Sequence, residues 1–446
     1  MSAKQPQMIR VFQTYSGKIY AYDAHSSRIF TIRSALIRET EEETEQAVCA
    51  YLESQKGIFD EPFSALRWEF GFEEYLDRIS DYIPALELQL TCRCNLACDY
   101  CVYSGNYAHV EPHADRDMSW DTVRRSIDFY AAHSSKSETV KISFYGGEAL
   151  LCFDLMQRAV AYAKLVFAGR NPQFRVTSNG VCLTEKVALW LEQQPDVRIM
   201  VTVNGPFHDQ YRKTVRGEGS LSIIEKNLRM LREQHPQVWE KQIHFIANVA
   251  RPSDYAAMSD YYREKIGRPA DTYSHISSKD GNETIRDILR GDGLLDDEDA
   301  LCRVYCKTQD PFMGAAYLNG ITAIQKRMLY PADAEGFVGG CMPFLEKLYV
   351  LSDGRFVVCE SSCDKLILGS LENGFDIPKL RNLYEAAEQL YANCCSNCWA
   401  QRLCTVCFKD TIEADGSLGN HIDEGFCEAS RAYTLRNLKM YCELYG

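Results

Sequence analysis

The stretch Leu90-Thr-Cys-Arg-Cys94-Asn-Leu-Ala-Cys98-Asp-Tyr-Cys101 carries three cysteines at C-x3-C-x2-C spacing, directly after a strand-like run at 86–90. Three thiolates on one short loop suit a [4Fe–4S] cubane, which takes four ligands. The loop supplies three, so one iron stays open to an external ligand, as a catalytic cluster requires. A zinc site is the competing reading. It asks for a fourth cysteine or histidine, and His109 and His113 are close in sequence. Cys92 falls outside the x3-x2 pattern.

Outward from this loop, residues 84–275 alternate strand-like and helical runs. Strands are predicted at 86–90, 140–144, 174–178, 199–203, 243–249 and 272–276. Helices are predicted at 119–132, 154–166, 184–192 and 221–233, with Ser119 and Thr184 as N-caps. Six βα units in succession imply a parallel sheet, either doubly wound or curled as a barrel. Both architectures place the active site at the carboxyl ends of the strands. The cysteine loop lies at such an end.

C-x3-C-x-aromatic-C after the first strand resembles the radical S-adenosylmethionine (SAM) superfamily, and the likeness runs from 84 to about 250. It implies that Cys94, Cys98 and Cys101 hold the catalytic cluster. The amino and carboxylate groups of SAM would chelate its open iron, with Tyr100 beside the adenine. Tyr145-Gly146-Gly147-Glu148 closes the second strand and matches the family's Gly-Gly-Glu segment. Glycine lets backbone approach a ligand closely, and Glu148 would accept from the ammonium. Ser178-Asn179-Gly180 resembles Thr-Asn-Gly at the third strand's end. Thr202, in Val201-Thr-Val-Asn-Gly-Pro206, matches a position near the carboxylate or ribose. Asn204 stands where the family carries aspartate. Arg212 and Arg216 are basic candidates for the carboxylate.

A second cysteine region follows. Cys341-x12-Gly354-x4-Cys359 precedes Cys395-x2-Cys398-x5-Cys404-x2-Cys407 and then Cys427. This resembles the SPASM extension of peptide-modifying radical enzymes, with x2 in place of x3 between Cys404 and Cys407. The resemblance implies one auxiliary cluster on Cys395, Cys398, Cys404 and Cys427. A second would sit on Cys341, Cys359 and Cys407, with Cys363 first and Cys306 second as fourth ligand, or an open iron; Cys394 is a further candidate. Three [4Fe–4S] clusters and SAM are therefore the expected cofactors. A closed zinc knuckle at 395–407 competes. Cys49, Cys152, Cys182 and Cys442 read as ordinary packing.

The chain has 446 residues and a net charge of −13, which disfavours a nucleic-acid partner. Its start has no signal-like apolar core, and no run of about 18 apolar residues follows. The expectation is a cytoplasmic protein with no membrane span. There, nineteen cysteines are more often metal ligands than disulfides. Residues 1–80, with three strands and helices predicted at 41–55 and 62–78, form a winged-helix-like unit. Its edge strand can take up an extended peptide. The predicted fold is thus α/β: a partial (β/α)6 TIM-like radical SAM barrel at 81–276. The leader-recognition unit precedes it at 1–80, a polar linker follows at 277–340, and the SPASM domain with a final helix occupies 341–446.

The arrangement resembles thioether-forming cysteine-rich-peptide maturases of the ranthipeptide and SCIFF type. The expected function is oxidative cross-linking of a Cys sulfur to a carbon in a ribosomally made peptide. A precursor peptide with a leader, and an electron donor such as flavodoxin or ferredoxin, are the expected partners. Carbon–carbon cross-linking, epimerisation, formylglycine formation and a non-catalytic zinc-binding peptide adaptor are the alternatives. The sequence singles out no catalytic base.

Overall fold

A computed structural model describes residues 8–446 except 25, 55–67, 69–70, 107–109, 252–253, 277–293, 330–340, 362–365 and 414. Three short strands, β1 (Ile9–Gln13), β2 (Ile19–Asp23) and β3 (Arg28–Thr31), pair antiparallel in that order. Then come β4 (Ala85–Thr91), the three-residue β5 (Leu96–Cys98), β6 (Lys141–Gly146), β7 (Gln173–Ser178) and β8 (Val197–Thr202). They are followed by the three-residue β9 (Arg212–Thr214), β10 (Ile243–Val249) and β11 (Thr272–His275). Strands β4, β6, β7, β8, β10 and β11 lie side by side in chain order, every neighbouring pair parallel. A doubly wound sheet reverses strand order at a switch point; this one does not, which is the barrel-type winding.

Alternation along each strand explains why these segments fold this way. Leu86, Leu88 and Leu90 of β4, and Ile142 and Phe144 of β6, are fully buried in the large core beneath the helices. Each such side chain contributes about 1.5–3 kcal/mol by leaving water. Glu87, Gln89, Ser143 and Tyr145 take the opposite, inner face, so the inside of the curled sheet is polar. Helix Trp120–Ala132 starts at Ser119, whose side chain accepts the Thr122 N–H at 3.0 Å. Thr184 stands at the N-cap of Glu185–Glu192 without a side-chain bond.

The cysteine-rich segment joins the same sheet. Strand β12 (Leu348–Val350) pairs parallel with β4, and β13 (Arg355–Val357), β14 (Gly369–Ser370) and β15 (Gly374–Phe375) continue antiparallel. The final helix spans Glu424–Tyr445. Within the stretch read as an insertion or linker, Leu294–Thr308 and Pro311–Leu329 are helices. Met313, Tyr317 and Ile321 recur at helical spacing and are buried in the large core. Gly320 lets the second of these helices approach Asn437, whose carboxamide a Cβ there would meet at 2.3 Å.

The β1–β3 sheet is covered on both faces. Ile9, Val11 and Ala21 pack on Val48 of helix Glu41–Ser54. Phe12, Tyr20 and Tyr22 pack on Trp399, Ala400 and Leu438. Helix Phe72–Asp81 lies almost wholly within residues 1–80 yet packs into the large core, where the Trp68 Nε1–H also donates to the Tyr384 carbonyl at 3.0 Å. Among the described residues no helix is long and apolar enough to cross a membrane.

Candidate active site

At the carboxyl ends of the parallel strands lies a cavity of about 230 Å³. Cys94, Cys98, Cys101, Tyr100, Gly146, Gly147, Ser178, Asn179, Thr202 and Arg212 all line it. The loop after β4 reaches it because β5 pairs antiparallel with β9, which sets Cys98 opposite Arg212. Both glycines are sterically required. A Cβ on Gly146, at φ +121°, would meet the Thr91 carbonyl oxygen at 2.2 Å, and one on Gly147 the Arg93 carbonyl oxygen at 2.0 Å. The end of β6 is thus pressed against the backbone just before Cys94. The Gly147 N–H donates to Thr91 O at 2.9 Å and the Glu148 N–H to Arg93 O at 2.8 Å.

Glu148 lies behind the cavity wall. It is fully buried, accepting from Asn179 N at 2.6 Å, Ser178 Oγ at 2.9 Å and Leu150 N at 3.1 Å. Burial raises its pKa, and those donors, with Arg212, offset the rise. Its carboxylate therefore ties the ends of β6 and β7 together. Asn179 Nδ2 donates to Asn95 Oδ1 at 2.6 Å, linking the third strand end to the cysteine loop.

Tyr100 is the hub of the opposite wall. Arg212 Nη1, Asn204 Nδ2 and the Asn248 carboxamide lie 2.8, 3.0 and 2.9 Å from its hydroxyl oxygen. Asn204 Oδ1 accepts the Asn248 backbone N–H at 3.0 Å, and the Asn204 N–H donates to His208 Nδ1 at 3.1 Å. His208 Nε2 then faces Ser220 Oγ at 3.1 Å, and Ser220 Oγ donates to the Arg212 carbonyl at 2.7 Å. Burial, and then the Arg212 charge, push the His208 pKa down to about 3, so the ring is neutral. Arg212 is buried and its Nε has no hydrogen-bond partner among the described residues. An orphaned buried donor on a cation calls for an acceptor in the cavity. Arg216 is exposed on the turn after β9.

Burial raises the pKa of Cys94 to about 12 and of Cys101 to about 11, and raises Cys98. These thiols keep their protons until a metal displaces them. Cys92 points elsewhere: its Sγ lies 3.4 Å from Ser352 Oγ and accepts from Arg116 at 3.4 Å. His113 lines the cavity, with Nε2 3.8 Å from Cys101 Sγ and Nδ1 2.9 Å from the Cys92 carbonyl. His109 lies outside the described residues.

In the second cysteine region, burial raises Cys395, and the thiols of Cys404, Cys398, Cys394 and Cys427 beside it raise it further. Burial pushes Cys427 up to about 11, with Cys404 and Cys398 contributing. Cys407 rises to about 12, through burial first and with Cys359 adding to it. Cys341 is exposed, and Glu360 adjoins both it and Cys359. Cys363 lies outside the described residues. Cys306, the second choice for the fourth ligand, has Cys302 and Glu443 as its neighbours, away from Cys359 and Cys407. Among the described residues no three His, Cys, Asp or Glu side chains close to single-ion spacing. Each thiolate of a cubane binds a different iron, so its ligands need not converge on one point. The donor set after β4, the glycine contacts and the orphaned Arg212 Nε fit a three-thiolate cluster with an anionic ligand beside it.

Sequence reasoning missed Asn248. Asn248 sits in an apolar-alternating strand, and only its inner-face phase marks it. Glu87 and Glu360 share Lys347, at 3.1 and 2.6 Å. Burial, and then Glu360, push Glu87 up to about 7 against Lys347 and Arg175.

Residues 88–240 match the family described as the Radical SAM superfamily, so the chain carries a radical SAM domain. An uncharacterized protein of Methanocaldococcus jannaschii is 29% identical over 34% of this chain and 50% of its own length. A serine-type anaerobic sulfatase-maturating enzyme of Bacteroides thetaiotaomicron is 28% identical over 33% of this chain and 35% of its own. The chain thus spans half or less of these curated relatives. The structure of anSMEcpe with bound AdoMet superimposes with a TM-score of 0.59 at 15% identity, over 79% of this chain and 97% of that one. The fold is shared.

Proposed function

We propose that this radical SAM domain serves a peptide maturase that joins a Cys sulfur to a carbon of another residue. The observation that carries the radical reading is the convergence of the cysteine loop, Tyr100, the two glycines, Ser178, Asn179, Thr202 and Arg212 on one cavity. A cluster held by Cys94, Cys98 and Cys101, with SAM, would supply a 5′-deoxyadenosyl radical able to take hydrogen from an unreactive carbon. The chain's own residues do the rest. Gly146 and Gly147 let the second strand end press on the cluster loop. Arg212 offers its unsatisfied Nε to the carboxylate, and Tyr100 and Thr202 bound the nucleoside.

The peptide substrate rests on two supports. The named sulfatase-maturating relative acts on a protein, and β1–β3 form a small sheet whose β3 has β2 as its one strand partner among the described residues. The two C-terminal cysteine sets, 395/398/404/427 and 341/359/407, suit auxiliary clusters that take up the second electron of an oxidation. A flavodoxin or ferredoxin would supply the separate electron that cleaves SAM. The same relative favours a second reading, formylglycine formation at one Ser or Cys.

The test is anaerobic reconstitution with iron and sulfide, then incubation with SAM. 5′-Deoxyadenosine should form, and Cys94→Ala should abolish it. Zinc without acid-labile sulfide would leave the adaptor reading instead. With the precursor peptide, tandem mass spectrometry separates a cross-link, two hydrogens lighter, from formylglycine at a single residue, which is two hydrogens lighter than Ser or, from Cys, two hydrogens lighter with sulfur replaced by oxygen from water.

A further inference from the structure

The start of the final helix gathers three groups against one cysteine set. Cys427, Ser430 and Arg431 of Glu424–Tyr445 stand at i, i+3 and i+4, so they share a helix face. Cys427 neighbours Cys404, Cys398 and Arg431. The Ser430 hydroxyl oxygen lies 3.2 Å from Cys404 Sγ, and Arg431 pairs with Glu424 within hydrogen-bonding reach of Cys398. One helix face thus supplies a cysteine of the 395/398/404/427 set and meets two others.

The direction of the Ser430 bond follows from its other neighbours. A serine hydroxyl has one proton and two acceptor positions. Ser430 Oγ accepts the Thr405 backbone N–H at 3.2 Å, and Thr405 Oγ1, 3.5 Å away, can fill the second position as a donor. The Ser430 proton is left for the Cys404 sulfur, which as a metal-bound thiolate has no proton and only accepts. Cys404 Sγ also accepts the Val406 N–H at 3.4 Å. The Leu96 N–H makes the same i+2 contact to Cys94 Sγ, at 3.4 Å, in the loop after β4. Ser430 is buried, so its hydroxyl is the polar group at hand there rather than bulk water. Donors converging on a sulfur suit a ligand that carries negative charge.

We propose that Ser430 and Arg431 are positioning residues that raise the reduction potential of a [4Fe–4S] cluster held by Cys395, Cys398, Cys404 and Cys427. This rests on the auxiliary-cluster reading above. One-electron reduction adds a negative charge that is shared with the thiolate sulfurs. A hydrogen bond to Cys404 and a cation beside Cys398 both favour the more negative state. The two side chains thereby equip this set to take up the electron that an oxidised substrate gives up.

Redox titration of the anaerobically reconstituted chain, followed by electron paramagnetic resonance, tests this, and Cys395→Ala identifies the signal that belongs to the set. Ser430→Ala should disfavour the reduced form by about three- to tenfold, the worth of one hydrogen bond, which lowers the one-electron potential by about 30–59 mV. Ser430→Thr keeps a hydroxyl and should stay at the parent value. Arg431→Gln should lower the potential by a similar factor. The other signals should not move and the iron content should hold, which separates tuning from a loss of structure. An unchanged potential in Ser430→Ala overturns the hydroxyl's role, and in Arg431→Gln the cation's. An equal shift in Ser430→Thr, or in every signal, overturns the assignment as well. If Ser430→Ala fails to hold the cluster, Arg431→Gln decides alone. Zinc without acid-labile sulfide removes the cluster reading itself, and metal analysis shows that before any titration.

Discussion

Replacing Gly147 by alanine should uncouple the cysteine loop from the barrel. The added Cβ would lie 2.0 Å from the Arg93 carbonyl oxygen, 2.5 Å from its carbon and 3.1 Å from the Cys94 nitrogen. Cβ contacts below 3.0 Å are essentially unknown, so the loop must retreat from β6 by at least about 1 Å. All three atoms are backbone, and no side chain can swing aside to absorb the change. The retreat lengthens the Glu148 N–H to Arg93 O bond from 2.8 Å and the Gly147 N–H to Thr91 O bond from 2.9 Å. Overpacking costs about 1–3 kcal/mol, and leaving one buried backbone group unsatisfied about 1–3 kcal/mol more. A loss of about 2–6 kcal/mol is expected if the loop strains in place. If it springs away instead, Cys94 leaves the cavity and the cluster is lost. Urea unfolding reads the first outcome, and iron, sulfide and 5′-deoxyadenosine after reconstitution read the second. Gly71→Ala is the control, since a Cβ there meets nothing within 4 Å. An unchanged unfolding midpoint together with iron and turnover within twofold of the parent would refute the steric argument.

Trp399→Ala should loosen the β1–β3 sheet, because Trp399 forms the floor on which Phe12, Tyr20 and Tyr22 pack. Hydrogen exchange in β1 and β2 should quicken by a factor matching a loss of about 3–5 kcal/mol, with β6 and β7 unaffected. His208 contributes stability that is full above its unfolded pKa and is lost as pH falls toward its folded value of about 3. With an unfolded value near 6.5, the loss reaches about 2 kcal/mol by pH 5, and His208→Gln should flatten that slope in denaturant melts. Cys395→Ala should remove about one-third of the bound iron while leaving 5′-deoxyadenosine formation measurable. Loss of all iron would argue against separate sites.

The large sheet was readable from local pattern. Each of its six parallel strands shows a period-two run, each helix a period near 3.6, and the two alternate through six units. Strand 243–249 falls at its predicted bounds and the others within two residues. The helix Pro311–Leu329 carries a local signal of its own. Met313, Tyr317 and Ile321 have the helical spacing, but the acidic run before them suggested a linker. Strand β12 gave no usable signal: three residues are too few for a period, and its partner β4 lies some 260 residues away.

What the sequence by itself determined is the set of groups that chemistry needs: the Cys94, Cys98 and Cys101 loop, the Gly146-Gly147 strand end, and the six-fold βα order that brings strand ends to one face. Local spacing and periodicity carry that information, because each is decided within a few residues of chain. Only the tertiary structure decided that β5 pairs with β9 to set Arg212 across from Cys98. It alone turned Asn204 and Asn248 onto Tyr100 and seated the amino-terminal sheet on Trp399. Those contacts join segments far apart in the chain through one or two side chains each. Their energy comes from closing long loops around a core already formed, and no short window of sequence contains it.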